Sequence, residues 1–270
     1  MNILWWILGI IGVPAVIFLF IILPADMPYH VKKAFKGRYY AHRGLHNIEE
    51  GIPENSLPAF EKAAQKGYGI ELDVHLTTDG QVIVFHDDDL SRACGDMRKT
   101  EELSYSQLQE LRLFGTDEQI PLFSQVLEVY NGAGPMIVEI KTGKHNADLC
   151  QQVCTVLEHY KGKVCIESFD PRILRWFKKH RPRMVRGQLA QPAALYKNQP
   201  KLLSVALANC LTNCIGRPHF IAYRIGDKPP LVRLVEKMGA MSFCWTSRED
   251  KHAHGCDGVI FESYEPETKF

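Results

Sequence analysis

Two hydrophobic regimes divide this chain. From residue 3 to residue 25 no charged side chain interrupts a run of mostly Ile, Leu, Val, Phe and Trp; beyond it, short apolar segments alternate with mixed ones. At ~1.5 Å per residue the first run is long enough to cross a ~30 Å hydrocarbon layer. A cleaved signal peptide would need a basic start, a shorter apolar core and a small-residue cleavage site, whereas only Met1 and Asn2 precede this run. Gly9, Gly12 and Pro14 are tolerated in membrane helices. The pattern predicts a retained transmembrane anchor over residues 1–25.

After the anchor, strand-type runs fall at 38–42, 69–74, 81–86, 136–140, 164–168, 184–189, 220–223, 241–245 and 258–261. Helical stretches lie between most of them. Pro58 falls in the first turn after Asn55-Ser56, Gly67 closes that helix, and Asp170-Pro171 opens the run to His180. Nine strand candidates with intervening helices suggest a parallel barrel with one strand to spare. Only Leu76-Thr77-Thr78-Asp79-Gly80 lies ahead of the run starting at Gln81, too short for a parallel crossover, so this pair forms an antiparallel hairpin. Setting its return strand aside leaves eight. The expected fold is α/β, a TIM (β/α)8 barrel over residues 37–270, joined to the anchor by a tether at 26–36. An open doubly wound sheet would place a glycine-rich phosphate loop after its first strand, and His42-Arg43-Gly44 is no such loop.

Composition narrows the partners. A net charge of +1 with scattered Lys and Arg gives no argument for a polyanion-binding surface, so no nucleic-acid partner is expected, and no obligate protein partner is evident. The eight cysteines include pairs at helical spacing (Cys150/Cys154, Cys210/Cys214), with no Cys-x-x-Cys or zinc pattern. They read as small buried residues in a reducing compartment. Lys32, Lys33, Lys36 and Arg38 follow the apolar run, and no charged side chain precedes it. The positive-inside rule then predicts a single-pass protein of the cell membrane with its C-terminal domain on the cytoplasmic side.

Barrel enzymes carry their sites at the C-terminal ends of the strands. Here those ends hold His42-Arg43, Glu71-Leu72-Asp73, His86-Asp87 at the end of the hairpin, and Glu139-Ile140-Lys141. Alternation puts Glu71 and Asp73 on one face. Three converging acids repel unless a cation neutralises them, and an all-oxygen set suits one hard divalent ion, Mg²⁺ or Ca²⁺, rather than zinc. Each acid could instead be paired with a basic residue. His42 and His86 supply a group that takes a proton and one that gives it near neutral pH. Arg43 and Lys141 can hold phosphate oxygens, and the same residues can form salt bridges to the acids.

The motifs Ala41-His42-Arg43-Gly44, Pro53-Glu54-Asn55-Ser56, Glu71-Leu72-Asp73-Val74, Thr78-Asp79-Gly80 and Val84-Phe85-His86-Asp87 resemble the glycerophosphodiester phosphodiesterase signature. The similarity continues through Ile120-Pro121-Leu122, Glu139-Ile140-Lys141, Ser168-Phe169-Asp170, Trp245-Thr246 and Asp257-Gly258-Val259-Ile260. It implies a TIM barrel with a divalent metal on Glu71, Asp73 and Glu139, and His42 with His86 as the acid–base pair. Arg43, Glu54 and Lys141 would surround phosphate and metal. The implied reaction releases sn-glycerol 3-phosphate and an alcohol through a cyclic phosphate, in lipid metabolism. Ser247-Arg248 departs from the Val-Asn common in the family, and Glu262 stands where Asp is usual.

The substrate expected is a glycerophosphodiester or a lysophospholipid. Alternatives on the same barrel are a lysophospholipase D, a phosphoinositide-type phospholipase C, or an inactive membrane-tethered binding module. Trp245 either stacks on substrate or packs in the core. The apolar stretch 202–215 reads as a helix buried on the barrel exterior, with a lid or membrane-surface helix as the alternative.

Overall fold

The structure, a computed structural model, describes residues 12–197, 199–253 and 255–269. Nine strands form one sheet: β1 (Arg38–His42), β2 (Gly69–Leu76), β3 (Val82–Val84), β4 (Met136–Ile140), β5 (Val164–Ser168), β6 (Val185–Ala190), β7 (Phe220–Arg224), β8 (Met241–Ser247) and β9 (Gly258–Phe261). Eight run parallel, and the β1–β2 pairing closes them into a barrel in the order β1-β2-β4-β5-β6-β7-β8-β9. The remaining strand, β3, is antiparallel to β2 and pairs with its last residues, Val74–Leu76. Of these, His75 and Leu76 run past the β4 pairing, which ends at Val74, so the hairpin stands above the barrel rim. Phe85 N–H donates to the Asp73 carbonyl at 3.0 Å, bringing His86 back over the strand ends.

Alternation sorts the strand residues into two environments. On β2, Ile70, Leu72 and Val74 face outward, into the layer they share with Phe60 and Ala63 of α3 (Leu57–Lys66) and Val126 and Tyr130 of α4 (Phe123–Tyr130). Further round lie α5 (Asn146–Val156), α6 (Pro171–His180), α7 (Lys201–Ala208) and α8 (Pro230–Lys237). The Asp170 carboxylate accepts from Arg172 N–H at 2.8 Å, capping α6 as the sequence predicts. Inside, Tyr40, Ile137, Cys165, Val185, Phe220, Met241, Phe243 and Ile260 fill the lower barrel. Gly187 makes room for this layer: a Cβ there would lie 2.0 Å from the Phe220 ring.

The segment before β1 is more than a tether. It folds as α2 (Tyr29–Phe35), and buried Met27 and Phe35 join the interior layer from below. The Phe35 carbonyl accepts from Tyr40 Oη at 2.7 Å, and Lys32 Nζ donates to the Gly239 carbonyl at 2.8 Å. Burying two large apolar side chains there contributes several kcal/mol, so α2 acts as the floor of the barrel.

Before it, α1 (Val13–Ile22) ends against the loop that leads into β7. Its last carbonyls are satisfied by Asn213 Nδ2 (to Ile22, 2.9 Å) and Arg217 (to Phe20, 2.6 Å, and Leu23, 2.7 Å). Val13, Val16, Ile17, Leu19 and Phe20 are exposed. Among the described residues no helix is long and apolar enough to cross a membrane, and residues 1–11 of the predicted span lie outside them.

The apolar stretch 202–215 differs from the single buried helix expected. α7 stops at Ala208, Cys210 takes a left-handed conformation (φ 59°), and a second turn runs Asn213–Gly216. Leu207 and Ala208 are buried, whereas Leu202, Leu203 and Val205 face outward, with Leu202 83% exposed. Both sets lie within α7, so that helix has one buried and one outward apolar face.

Candidate active site

The parallel register builds the site. It pairs His42 with Glu71 across β1 and β2, Asp73 with Glu139 across β2 and β4, and Glu139 with Glu167 across β4 and β5. Side chains at one level of neighbouring strands converge inside a barrel. One oxygen each from Glu71, Asp73 and Glu139 lie within 4.8 Å of one another. Lys141 donates to Asp73 at 2.8 Å and Glu139 at 3.0 Å, Asn55 Nδ2 donates to Asp73 at 3.0 Å, and Arg43 Nε sits 3.4 Å from Asp73.

These environments separate the acids. Burial pushes Asp73 up, but Lys141, His86 and Arg43 more than offset it and hold the carboxyl well below its usual range. Glu71 is driven well above by burial and by the charges of Asp73, Glu167 and Glu139. Burial also raises Glu139, against Lys141. Glu167, read in the sequence only as part of a strand, is buried and raised by desolvation and by Glu139, and its Oε2 has no hydrogen-bond partner. Four buried carboxylates thus share the positive charges of Lys141 and Arg43. That excess of acid, made entirely of oxygen donors with one left unsatisfied, fits a hard divalent cation on Glu71, Asp73 and Glu139.

The turn after β1 is fixed by packing. Arg43 has φ 56° and Gly44 φ 82°; a Cβ on Gly44 would lie 2.8 Å from Ala59 Cβ. This conformation aims Arg43 N–H at Glu71 (3.2 Å) and lets Asn55 N–H donate to the Arg43 carbonyl (2.8 Å). The Arg43 guanidinium donates to Glu54 at 2.8 Å, and Arg92 holds Glu54 from the other side at 2.6 Å. Glu54 therefore anchors two arginines rather than joining the acid cluster.

Each histidine leans on its own carboxylate. His42 Nδ1 lies 3.4 Å from Glu262, leaving Nε2 on the Glu71 side at 3.9 Å. Burial lowers the His42 pKa, partly opposed by Glu262. The His42 contact, with help from Arg248 and His46 against burial, brings Glu262 down to about 2. His86 Nδ1 lies 2.6 Å from Asp87 Oδ1, and Arg92 Nε donates to the other Asp87 oxygen at 2.7 Å. Burial alone would raise Asp87, but these two partners hold it well below its usual range.

His42, Arg43, Glu54, His86 and Trp245 line one cavity of about 670 Å³, together with Arg92, Phe169, Gln191, Arg224, Arg248 and Glu262. All nine sequence-predicted site residues fall in this cavity or in the acid cluster that touches it. Trp245 is half-buried: its Nε1 donates to the Ala222 carbonyl at 2.9 Å and its ring meets Phe169 edge-on. Sequence reasoning missed Glu167, because its place at the level of Glu139 is set by the β4–β5 register. Arg224, at the end of β7, carries the strand-end signal, whereas Arg92 and His46 reach the site from outside the strands and carry none.

Residues 42–264 match the sequence model of the Glycerophosphoryl diester phosphodiesterase family. A glycerophosphodiester phosphodiesterase from Caldanaerobacter subterraneus is 28% identical over 84% of this chain and 94% of its own length. A lysophospholipase D from Rattus norvegicus is 32% identical over 53% of this chain, which spans 48% of that protein. In fold, the chain is similar to an Oleispira antarctica phosphodiesterase solved with the product sn-glycerol-3-phosphate (TM-score 0.69, 22% identity, 85% of this chain and 94% of that one).

Proposed function

The chain belongs to the glycerophosphoryl diester phosphodiesterase family, a family of hydrolases, and from that premise we propose that it releases sn-glycerol 3-phosphate from glycerophosphodiesters in the mouth lined by His42 and His86. The observation that carries this reading is two histidines, each backed by its own carboxylate, above an acid cluster fit for a divalent ion. The product bound by the Oleispira antarctica relative is in accord with it.

Glu71, Asp73 and Glu139 would hold the cation, Mg²⁺ or Ca²⁺, which when bound polarises the phosphate and offsets its charge. His42, with Nδ1 turned to Glu262 and its pKa lowered, takes the proton of the glycerol 2-hydroxyl through Nε2. That oxygen bonds to phosphorus, the bond to the alcohol breaks, and His86 gives the departing oxygen a proton. Water then opens the cyclic phosphate, losing a proton to His86, while His42 returns its proton to the 2-oxygen. Both imidazoles end as they began. Arg43 and Lys141 face the non-bridging oxygens, and the intramolecular hydroxyl supplies effective molarity.

A lysophospholipase D reading has specific support in the rat relative and in the outward apolar side chains Leu195, Leu202, Leu203 and Val205. We further propose that residues 3–25 anchor the chain in the cell membrane with the barrel on the cytoplasmic side, supported by the uncharged run and the basic residues after it. The deciding experiment is a metal-supplemented hydrolysis screen of glycerophosphodiesters and lysophospholipids with His42→Ala as control. Free glycerol 3-phosphate supports the reading; retained lysophosphatidate moves it to the D-type; metal-dependent activity surviving His42→Ala removes His42 from its role.

A further inference from the structure

Four arginines reach the mouth, and three of them are neutralised there. Arg43 is held by Glu54 at 2.8 Å, Arg92 by Glu54 at 2.6 Å and Asp87 at 2.7 Å, and Arg248 by Glu262 at 3.3 Å. Arg224 is different. It ends β7, is exposed, lines the cavity, and has no carboxylate among the described residues within ion-pair distance. Its guanidinium carbon lies over the Trp245 ring, 5.7 Å from the centroid. That ring is fixed by its own hydrogen bond to Ala222 and its edge contact with Phe169. A guanidinium resting on an aromatic face is oriented without spending its donors, and its planar fork suits carboxylate or phosphate oxygens.

Position says which part of a substrate it meets. Around the barrel β7 lies four strands from β2, on the side opposite Glu71 and Asp73. With the glycerol 2-hydroxyl at His42 on β1 and the phosphate over the acid cluster, as in the mechanism proposed above, the side of the mouth left to the alcohol is that towards β7 and β8. We propose that Arg224, seated on Trp245, is an anion subsite for the alcohol portion of the substrate, and that the enzyme favours glycerophosphodiesters whose alcohol carries a carboxylate or a second phosphate. This rests on the diesterase reading given above.

The test compares two diesters that differ by one carboxylate, sn-glycero-3-phosphoserine and sn-glycero-3-phosphoethanolamine, with glycerophosphoglycerol against its terminally phosphorylated form as the phosphate arm. The quantity read is the ratio of kcat/KM within each pair, which a general loss of activity or of folded protein leaves unmoved. Expected is a ratio of about tenfold or more in favour of the anionic member in at least one arm, the arm naming the anion. Arg224→Gln brings that ratio near one, and Arg224→Lys retains part of it. A wild-type ratio near one in both arms overturns the proposal, as does a ratio that Arg248→Gln lowers as much as Arg224→Gln, since that marks a diffuse field. Calorimetric binding of the same pairs to the His42→Ala protein separates the two readings. Absent hydrolysis with preferential binding of the anionic member sinks the diesterase reading alone, and equal binding sinks the subsite.

Discussion

Glu262 Oε2 stands 3.4 Å from His42 Nδ1, while its other oxygen lies 3.8 Å from His46 Nε2. One carboxylate thus fixes which nitrogen of His42 faces the mouth, although the two residues lie on β1 and just beyond β9, at opposite ends of the barrel sequence. Glu262→Gln keeps the size and removes the charge. It is expected to lower kcat by roughly a hundredfold while KM changes little, because the imidazole loses its orientation and its counter-charge. Steady-state kinetics check this; unchanged kcat would detach Glu262 from His42.

The acid excess predicts an inversion. Glu71→Gln removes one of four crowded carboxylates, so in chelator this variant should melt above the wild type by a few degrees, a gain of about 1–2 kcal/mol. With millimolar Mg²⁺ or Ca²⁺ the order should reverse, since ligand binding stabilises the intact site by about 2.7 kcal/mol at a hundred times Kd. Thermal melts of both proteins, with and without metal, decide it; parallel curves would count against a cation there.

His219 is buried at the foot of β7, where its Nδ1 accepts from Arg186 N–H, and burial with Arg186 lowers its pKa from 6.5 to about 4. The folded state therefore holds it neutral. Its contribution is complete above pH 6.5, declines as pH falls because the unfolded chain binds the proton first, and is gone below about 4. The loss over that window is about 3 kcal/mol at most. Denaturant titrations between pH 4 and 7 should show a shallower slope in His219→Gln; an identical slope would reject the assignment.

Gly44→Ala places a methyl where Ala59 already sits and forces a side chain to φ 82°. A cost of about 2–4 kcal/mol is expected, with loss of activity as Arg43 shifts. Ala59→Gly in the same chain should recover only a small part of the stability, because the Cβ contact goes while the Ala59 carbonyl carbon still lies 2.9 Å from the new methyl; equilibrium unfolding of the three variants measures the recovery.

Phe35→Ala opens a hole in the barrel floor and should cost about 3–5 kcal/mol, as for a core aromatic. A chain starting at residue 37 should be destabilised at least as much. If it unfolded at the same denaturant concentration as the full chain, α2 would have no structural role.

Much of this protein is written locally. Strand and helix positions follow from periodicity, proline and glycine, and the five-residue gap before Gln81 excludes a parallel crossover, so the eight-plus-one strand arrangement needs no coordinates. Strand-end chemistry likewise selects His42, Glu71, Asp73, His86, Glu139 and Lys141. Tertiary structure decides the rest, for three physical reasons. Register across strands far apart in sequence sets which carboxylates share a level, and so adds Glu167 to the cluster. Loop trajectories decide which charges cancel, leaving Glu54 between two arginines and Arg224 on an indole. And the residues before β1, polar enough to read as a tether, fold because the open end of a barrel must be covered, and Met27 and Phe35 are the apolar side chains within reach. An apolar pattern announces that a residue will be buried, but only closure of the barrel settles against what.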